Sequence, residues 1–268
     1  MPELPEVEFC RRTLERWTRD RRVQDVIVRD PRSIRARRAD RPTAGLPDGE
    51  ARLRAVVAGA PGIPTRHGKR LLWPFGTGAL LLHLGMTGKW SRGAEPPHSK
   101  VGLSLDDGST LWFSDPRLLG GVVPTTTVDG EEQLHEGLGP DAWNEPFPQV
   151  RGRRPIKVAL LDQSVVAGLG NLHAAEALWR AGIHPERPAD TLDGPTQVRL
   201  AAGVRTQLET VLGWFADEDH ITYVEERGAP NPFPLYQRGG EPCPRCGAPI
   251  GKITQAGRTT WWCAGCQR

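Results

Sequence analysis

The sequence predicts an α+β chain of more than one domain, and three observations support this fold class. Short strand-like segments with polar turns fill the first half, helical periodicity replaces them after Gly120–Gly121, and two close cysteine pairs end the chain. At 268 residues the chain also exceeds the usual size of a single domain. We expect a β-sandwich or barrel over residues 1–125, a helical domain over 126–236 and a cysteine-rich tail over 237–268.

The chain opens with Met1-Pro2-Glu3, and removal of Met1 would leave Pro2 with a secondary amine beside a carboxylate. Such an amine can attack an electrophilic carbon, and the resulting iminium stays cationic without needing a proton. The pair therefore predicts a nucleophile next to an acid. Alternatively, Pro2 and Glu3 are solvated terminal residues with no chemical role.

The first half of the chain then predicts one helix and several strands. Residues Glu6 to Trp17 place Val7, Cys10, Leu14 and Trp17 at helical spacing. Cys10 is thus expected to be a buried packing residue. The predicted strands are Val23–Val28, Leu53–Ala58, Leu71–Phe75, Ala79–Leu84, Val101–Leu105 and Thr110–Ser114. Regular short strands joined by polar hairpins are typical of a sandwich or barrel.

The charge pattern indicates a partner that carries phosphate. The net charge is only +3, but the positive residues are mostly arginines and several cluster, as at Arg11–Arg12, Arg37–Arg38 and Arg151–Arg154. The planar guanidinium binds phosphate bidentately. Alternatively, these arginines lie on solvated helix faces. The sequence has no run of eighteen apolar residues and no basic N-terminal leader, so we expect a cytoplasmic protein without a membrane partner.

Two positions in the first half also stand out. Lys69 follows Gly68 just before a strand, and Met86 lies between Gly85 and Gly88 at the end of another. The flanking glycines predict that Met86 is at the tip of a loop. The simpler interpretations are a surface cation for Lys69 and a core-edge side chain for Met86.

The second half begins with predicted helices at Glu131–Gly137, Ile156–Leu161, Asn171–Ala181 and Thr196–Ala216. The stretch Ala167–Asn171 joins an apolar run to the third of these helices. Glycines and an asparagine before a helix leave backbone N–H groups free to hold a phosphate, and the amide adds a donor. An ordinary turn with an asparagine cap is the alternative.

Four cysteines at the end of the chain have the spacing of a structural zinc site. Cys243 and Cys246 form one close pair, sixteen residues follow, and Cys263 and Cys266 form the second. A disulfide framework is the alternative, which a cytoplasmic chain with one other cysteine disfavours. We expect a β-hairpin zinc finger whose single ion supplies its folding energy.

Together these stretches resemble the formamidopyrimidine-DNA glycosylase and endonuclease VIII family from the first residue to the last. The resemblance is carried by Met1–Glu8, Gly68–Lys69, His83–Met86, Asp115–Arg117, Leu161–Gln163, Gly168–Asn171 and the four cysteines. It implies an N-terminal β-sandwich with flanking helices, a helix-two-turn-helix domain and a terminal zinc finger. It also implies a monomeric bacterial enzyme that binds damaged double-stranded DNA and associates with the nucleoid in this way.

The implied activity is that of a bifunctional glycosylase and abasic-site lyase of base excision repair. By resemblance, Pro2 attacks C1′ of the deoxyribose, Glu3 is the acid that assists ring opening, and the strand is cleaved by β,δ-elimination. The resemblance also implies that Lys69 contacts a phosphate near the lesion and that Lys157 lies in the DNA-binding site. Met86, Arg117 and Leu119 are implied to fill the void that the flipped base leaves. Asn171 and Arg258 are implied to bind phosphates.

The resemblance points to two classes of damaged base. Lys157 and Leu4–Pro5 match the purine-specific branch, which predicts 8-oxoguanine and formamidopyrimidine as substrates. Leu161–Gln163 and Ala167–Asn171 are instead more similar to endonuclease VIII, which acts on oxidised pyrimidines. Leu119 stands where the purine branch has phenylalanine, and the stretch from Tyr223 to Leu235 is shorter than that branch's lesion-capping loop.

Two alternative functions would use the same phosphate-binding residues. A non-catalytic zinc-ribbon protein that recognises abasic or distorted DNA would have no use for Pro2 with Glu3. An RNA-binding zinc protein would prefer single-stranded RNA to abasic duplex DNA.

Overall fold

The computed structural model describes residues 2–36, 45–144 and 146–268. Met1 and the predicted cationic pair Arg37–Arg38 lie outside the described residues. The chain forms two compact units. The sandwich unit comprises Met1–Glu136 with Asp217–Arg227, and the helical unit comprises Gly137–Ala216 with Gly228–Arg268.

Two four-stranded antiparallel sheets form the sandwich unit, which confirms the predicted α+β class with an N-terminal β-sandwich. The strands are β1 (Val23–Val28), β2 (Thr65–His67), β3 (Arg70–Phe75), β4 (Gly78–His83), β5 (Lys89–Arg92), β6 (Ser99–Leu105), β7 (Thr110–Ser114) and β8 (Gly121–Thr126). One sheet has the order β1-β6-β7-β5 and the other β2-β3-β4-β8.

The second sheet is covered on both faces, which explains its nearly continuous apolar strands. Leu71 and Trp73 of β3 belong to the main core between the sheets. Leu72, which points to the opposite face, packs with Leu134 of α3 (Thr127–His135) in a smaller cluster. Strands buried on both faces lose the alternation of apolar and polar residues.

Two further helices flank the sandwich unit. The helix α1 (Leu4–Thr18) buries the apolar side chains that the sequence predicted for it, including Cys10. The other, α2 (Gly49–Val57), corrects the strand predicted at Leu53–Ala58. Leu53 and Val57 are four residues apart, so a helix turns both toward the main core, while Arg52 and Arg54 stay exposed.

A second correction concerns the end of the strands. The sequence predicted that they stop at Gly120–Gly121, but β8 begins at Gly121 and pairs along the whole of β4. Its pairing partner β4 lies about forty residues earlier in the chain, so the local sequence does not predict the pairing of β8.

The helical unit contains the helices α4 (Ile156–Leu161), α5 (Asn171–Ala181) and α6 (Gly194–Trp214), followed by the hairpin β9 (Ile250–Gln255) and β10 (Arg258–Cys263). Asp193 caps α6 by accepting a hydrogen bond of 2.9 Å from the N–H of Thr196. Trp179 near the end of α5 packs with Cys243, Ile250 and Cys263. The finger hairpin and α5 therefore share one small core.

Within the described parts of the chain, no helix is both long enough and apolar enough to cross a membrane.

Candidate nucleic-acid interface and metal site

The predicted nucleophile and acid lie where α1 begins. The N–H of Glu3 donates to Oε2 of Glu6 at 2.8 Å, a capping interaction that fixes the backbone just after Pro2. Pro5 in the first turn suits a helix start because it has no N–H to leave unpaired. Pro2, Glu3 and Leu4 are all buried. The residues beside the predicted amine are thus held rigidly by packing and by a cap.

Lys69 occupies a two-residue hairpin between β2 and β3. Gly68 takes the first central position with a φ of 56°, a conformation that glycine adopts without strain. Arg66 at the start of this hairpin pairs with Glu8 of α1, with 3.2 Å between Nε and Oε2. Burial opposes ionisation of Glu8, but Arg11, Arg12 and Arg66 together lower its pKa. The ion pair therefore fastens the Lys69 hairpin to the helix that begins after Pro2.

The arginines of α1 favour the solvated-face alternative over a phosphate-binding face. Arg11 lies 3.1 Å from Glu8 and 2.9 Å from Glu15, and Arg12 lies 2.8 Å from Glu8. By contrast, neither Arg117 nor Arg258 pairs with a carboxylate among the residues that the structure describes, and both are exposed. These two guanidinium groups keep their charge available for an anion.

The three residues predicted to fill the void belong to two loops that touch each other. Met86 and Leu119 expose 36 % and 37 % of their surfaces, and Arg117 is exposed as well. A Cβ at Gly85 would lie only 2.4 Å from the nitrogen of Gly120, so the two backbones need glycine to approach this closely. The structure therefore brings together the turn that carries Met86 and the loop that carries Arg117 and Leu119.

Asp115 joins these two loops. It is fully buried and accepts hydrogen bonds from Oγ1 of Thr87 at 2.5 Å, from the N–H of Arg117 at 3.2 Å and from the N–H of Gly120 at 2.7 Å. Both carboxylate oxygens are used, and one donor comes from the Met86 turn while two come from the other loop. Asp115 belongs to a stretch that carries the family resemblance, but the sequence alone assigned it no role. Its signal was a carboxylate placed directly after a buried strand.

We expect Asp115→Ala to lower the free energy of unfolding of the sandwich unit by about 2–4 kcal/mol, because one buried and two partly buried donors lose their acceptor. Asp217→Asn is the matched control, since that exposed side chain has no partner among the described residues. Denaturant unfolding of both variants measures the difference. Equal midpoints for Asp115→Ala and the wild type would contradict the assignment of Asp115 as the junction of the two loops.

Arg35 stabilises the loop that carries Arg117, a role that its place among the clustered arginines of the sequence did not predict. Its side chain is buried, and Nη2 donates to the carbonyl oxygens of Leu118 at 3.0 Å and Gly120 at 2.6 Å. Leu118 has a φ of 51°, which is unusual for a residue with a side chain. The guanidinium therefore helps to hold a loop conformation that the local sequence does not favour.

In the helical unit, Lys157 bridges the first residue of α5 and the finger hairpin. Its side chain is 0 % exposed, and Nζ donates to Oδ1 of Asn171 at 2.5 Å and to Oγ1 of Thr260 at 2.8 Å. The ammonium has only donors, so the Asn171 amide must present its oxygen to it. Nδ2 of Asn171 then donates to the carbonyl of Thr259 at 2.9 Å and keeps a second N–H for another acceptor.

Arg258 is the first residue of β10 and is adjacent to Thr259, which accepts the Asn171 hydrogen bond. The structure therefore brings Asn171 and Arg258 to the same end of the finger hairpin. Gln163 stabilises the turn that precedes Asn171, because its amide donates to the carbonyl of Leu169 at 2.8 Å and accepts from the N–H of Gly168 at 3.0 Å. The two predicted phosphate ligands lie beside a rigid turn and a buried cation.

The four cysteines form a metal site of the predicted kind. Their Sγ atoms all lie within 4.8 Å of one another, with 3.8 Å between Cys243 and Cys266 and 3.4 Å between Cys246 and Cys263. Sulfur atoms around a tetrahedral zinc ion are separated by about 3.8 Å, given Zn–S bonds of about 2.3 Å. The donor set and its size therefore fit one structural Zn²⁺, as predicted.

The ionisation of the cluster also suits a divalent cation. Burial works against the charged form of Cys243, yet the N–H groups of Arg245 and Cys246 lower the pKa of its thiol to about 6. Burial and the neighbouring thiols raise the pKa of Cys266 to about 12. Four thiolates repel one another, and a central Zn²⁺ compensates this charge as it displaces the protons.

The predicted site residues fall into two sets. The sandwich unit holds Pro2, Glu3, Lys69 and the void-filling residues Met86, Arg117 and Leu119, while the helical unit holds Lys157, Asn171, Arg258 and the four cysteines. Cys10 belongs to neither set. Its thiol is buried in the main core, and burial raises its pKa, so it has the character of a packing residue.

Three family models match this chain in succession. The model of the formamidopyrimidine-DNA glycosylase N-terminal domain matches residues 1–122, and that of the glycosylase H2TH domain matches residues 130–213. A model of the zinc finger found in FPG and IleRS matches residues 240–268. Together they cover most of the sequence.

Individual relatives and solved structures of the same family are also similar to this chain. A formamidopyrimidine-DNA glycosylase of Geobacter metallireducens is 37 % identical over 100 % of both chains. The fold is similar to that of a Lactococcus lactis FPG variant in complex with DNA containing Fapy-dG, with a TM-score of 0.82 and 28 % identity over 100 % of both chains. A complex of the Lactococcus lactis enzyme with abasic-site DNA gives a TM-score of 0.83 and 28 % identity, covering 99 % of both chains.

These matches extend from the buried start of α1 to the four-thiolate finger, and they include both sets of predicted site residues. The chain therefore belongs to the formamidopyrimidine-DNA glycosylase family.

Proposed function

We propose that this chain is a bifunctional DNA glycosylase of base excision repair, which removes oxidised purines and then cleaves the strand at the abasic site. The single observation that carries the proposal is the position of Pro2 and Glu3, buried at the capped start of α1 in a chain of this family. A reactive amine on a rigid helix start is well placed for attack because little conformational freedom is lost.

The proposed reaction begins with the Pro2 nitrogen. Its lone pair attacks C1′ of the damaged nucleotide, the bond from C1′ to the base breaks, and the base leaves with a proton from an acid. The Pro2 nitrogen gives up its own proton to a base, which leaves a neutral adduct whose C1′–O4′ bond can then break. Glu3 donates the proton that opens the deoxyribose ring. The product is an iminium between C1′ and the Pro2 nitrogen, a cation that stabilises negative charge on the neighbouring carbon.

Strand cleavage then follows from this iminium. Loss of a proton from C2′ expels the 3′ phosphate by β-elimination, and a later proton loss from C4′ expels the 5′ phosphate by δ-elimination. Hydrolysis of the remaining iminium returns the free amine. Glu3 can carry protons between these steps, since a carboxylate is both an acceptor and, when protonated, a donor.

The other residues hold a nucleotide that has left the base stack. We assign phosphate contacts to Lys69, Asn171 and Arg258, with Lys157 supporting Asn171 from its buried position. Met86, Arg117 and Leu119 fill the space that the base leaves behind. Unstacking a base costs a few kcal/mol, which phosphate contacts and inserted side chains offset. The zinc ion, bound by the four cysteines, has a structural role only.

The preference for purines rests on the relatives. Two relatives of matching length, from Geobacter metallireducens and Streptomyces avermitilis, are formamidopyrimidine-DNA glycosylases, and one similar solved structure is bound to Fapy-dG DNA. Lys157 and Leu4–Pro5 point in the same direction. Oxidised pyrimidines are the competing substrate class, because Leu161–Gln163 and Ala167–Asn171 resemble endonuclease VIII. Leu119 offers no aromatic face to the opposite base, so it bears on the opposite-base preference instead.

Borohydride trapping tests the proposal. We expect a covalent adduct between the chain and DNA with an abasic site, attached to the N-terminal peptide, because borohydride reduces the iminium to a stable amine. Duplexes with 8-oxoguanine, formamidopyrimidine, thymine glycol and dihydrouracil then rank the lesions, and the two oxidised purines should be cleaved fastest. Abasic-DNA binding without any adduct would instead support a non-catalytic zinc-ribbon protein.

The division into a catalytic domain (1–125), a helical domain (126–236) and a finger (237–268) is part of the proposal. The three family matches support this order, whereas residues 217–227 pack within the sandwich unit. We also propose that the enzyme acts as a monomer and associates with the nucleoid through its DNA binding.

A further inference from the structure

The segment Asp217–Arg227 follows α6 in the sequence but forms part of the sandwich unit. Its first half is fixed to the last turns of α1. Nη2 of Arg16 lies 2.6 Å from Oδ1 of Asp219 and donates to the carbonyl of Glu218 at 3.1 Å. These side chains are exposed, so this attachment contributes little stability by itself.

The second half of the segment is fixed more firmly, at the turn that carries Met86. Tyr223 is only 4 % exposed, and its hydroxyl donates to the carbonyl of Gly88 at 2.7 Å. Burial raises the pKa of this phenol, so the hydroxyl remains a donor over the whole physiological range. The N–H of Gly88 closes the turn by donating to the carbonyl of Leu84 at 2.8 Å. Both polar groups of the Gly88 backbone unit are therefore engaged.

Lys89 and Glu226 hold the Tyr223 ring in this position. Nζ of Lys89 lies 4.8 Å from the centre of the ring and 2.5 Å from Oε1 of Glu226. The same carboxylate oxygen accepts a hydrogen bond of 2.6 Å from the N–H of Tyr223. Cation, ring and carboxylate thus form one cluster next to the Met86 turn, since Lys89 directly follows Gly88.

We propose that Tyr223, supported by Lys89 and Glu226, is a positioning residue that fixes the Met86 turn so that Met86 can enter the DNA when a nucleotide is extruded. The inference rests on the proposed function, and it assigns the segment Asp217–Arg227 a role in positioning the Met86 turn. Methionine is flexible, so its insertion orders several torsions. A backbone that is already anchored leaves only the side chain to be ordered at that moment.

Tyr223→Phe tests the inference, because it removes the hydroxyl and keeps the ring beneath Lys89. A duplex with 2-aminopurine opposite a stable abasic analogue reports insertion by fluorescence and requires no chemistry. We expect the rate of the fluorescence change to fall about tenfold, the effect of losing one buried hydrogen bond. Glu226→Gln should slow the change by a smaller factor, because its ion pair is partly exposed.

The matched control is Glu218→Gln, an exposed position of the same segment whose carboxylate has no partner among the described residues. It should keep the wild-type rate. Excision provides a second measurement: Tyr223→Phe should slow removal of 8-oxoguanine from duplex DNA, yet leave cleavage of an abasic single strand within about twofold, since a single strand has no stack to enter.

Two outcomes would overturn the inference. One is an unchanged fluorescence rate in Tyr223→Phe, and the other is an equal loss on duplex and single strand, which would indicate general damage to the fold. A wild-type chain that inserts Met86 but excises no base would refute the proposed function alone, because the fluorescence measurement does not depend on catalysis.

Discussion

A chain with an uncleaved extension before Pro2 is expected to cleave abasic DNA at least about a thousandfold more slowly than the chain that begins at Pro2. The extension turns the secondary amine into an amide, whose nitrogen has no available lone pair. The predicted site also contains two lysine amines, but Lys157 is buried and donates to Asn171 and Thr260, and we assign Lys69 to a phosphate. We therefore expect neither to replace Pro2 at C1′ at a comparable rate. Strand cleavage and borohydride trapping should disappear together.

Pro2→Gly offers a graded comparison with the blocked chain. It keeps an amine at the same position, but a primary one, whose iminium can lose a proton and with it the positive charge. We therefore expect intermediate rates, well above those of the extended chain. The same extension placed after Arg268 controls for the added residues themselves, and it should leave the cleavage rate unchanged. Equal trapping by the extended chain and the wild type would exclude Pro2 as the nucleophile.

DNA binding separates this loss of chemistry from a loss of fold. The extension leaves the arginines, the Asn171 turn and the finger untouched, so affinity for abasic duplex should change far less than the cleavage rate. Leu4 and the Glu3 cap lie directly beside the blocked position and are buried. A thermal unfolding scan therefore accompanies the kinetics, and a large drop in midpoint would show that the extension disturbs α1.

The parts of this protein that could be predicted from sequence are those set by local chemistry. The cysteine spacing gave the thiolate cluster, the apolar period of α1 gave its buried face, and the glycines around Met86 gave its turn. Each follows from residues within a few positions of one another, or from ligands whose chemistry is unmistakable.

The parts that could not be predicted depend on pairing between distant segments. The apolar spacing from Leu53 to Ala58 is compatible with both a strand and a helix, and packing against the main core selects the helix. The buried bridge from Lys157 to Thr260 joins residues about a hundred positions apart. Asp115 and Tyr223 owe their roles to loops that meet only in the folded sandwich unit. No periodicity or spacing encodes such contacts.

The second large effect concerns the zinc finger. We expect removal of zinc to lower the affinity for abasic duplex about a hundredfold, since it should disorder the hairpin that carries Arg258 and supports Asn171. The finger has little core of its own apart from the residues that pack on Trp179. Arg245 strengthens that contact, because its guanidinium lies 4.2 Å from the Trp179 ring centre and donates to the Trp179 carbonyl at 3.0 Å.

The loss should reach Asn171 through Lys157. When the hairpin is disordered, the ammonium loses Thr260 and the Asn171 amide loses the Thr259 carbonyl. Lys157→Met breaks the same bridge while the four thiolates stay in place, and we expect about a tenfold loss of affinity from it. Arg52→Met is the control for charge alone, because Arg52 is exposed, its side chain has no partner among the described residues, and it belongs to none of the predicted phosphate-binding clusters. It should keep the wild-type affinity.

Titration of abasic duplex into the zinc-loaded, chelated and Lys157→Met proteins at one salt concentration measures these losses, since phosphate contacts depend strongly on salt. Because zinc must displace protons from the thiols, the chelator should act faster as the pH falls. Full affinity after chelation would exclude Arg258 as a phosphate ligand. Full affinity in Lys157→Met, with a loss after chelation, would show instead that the finger binds phosphate without help from the buried bridge.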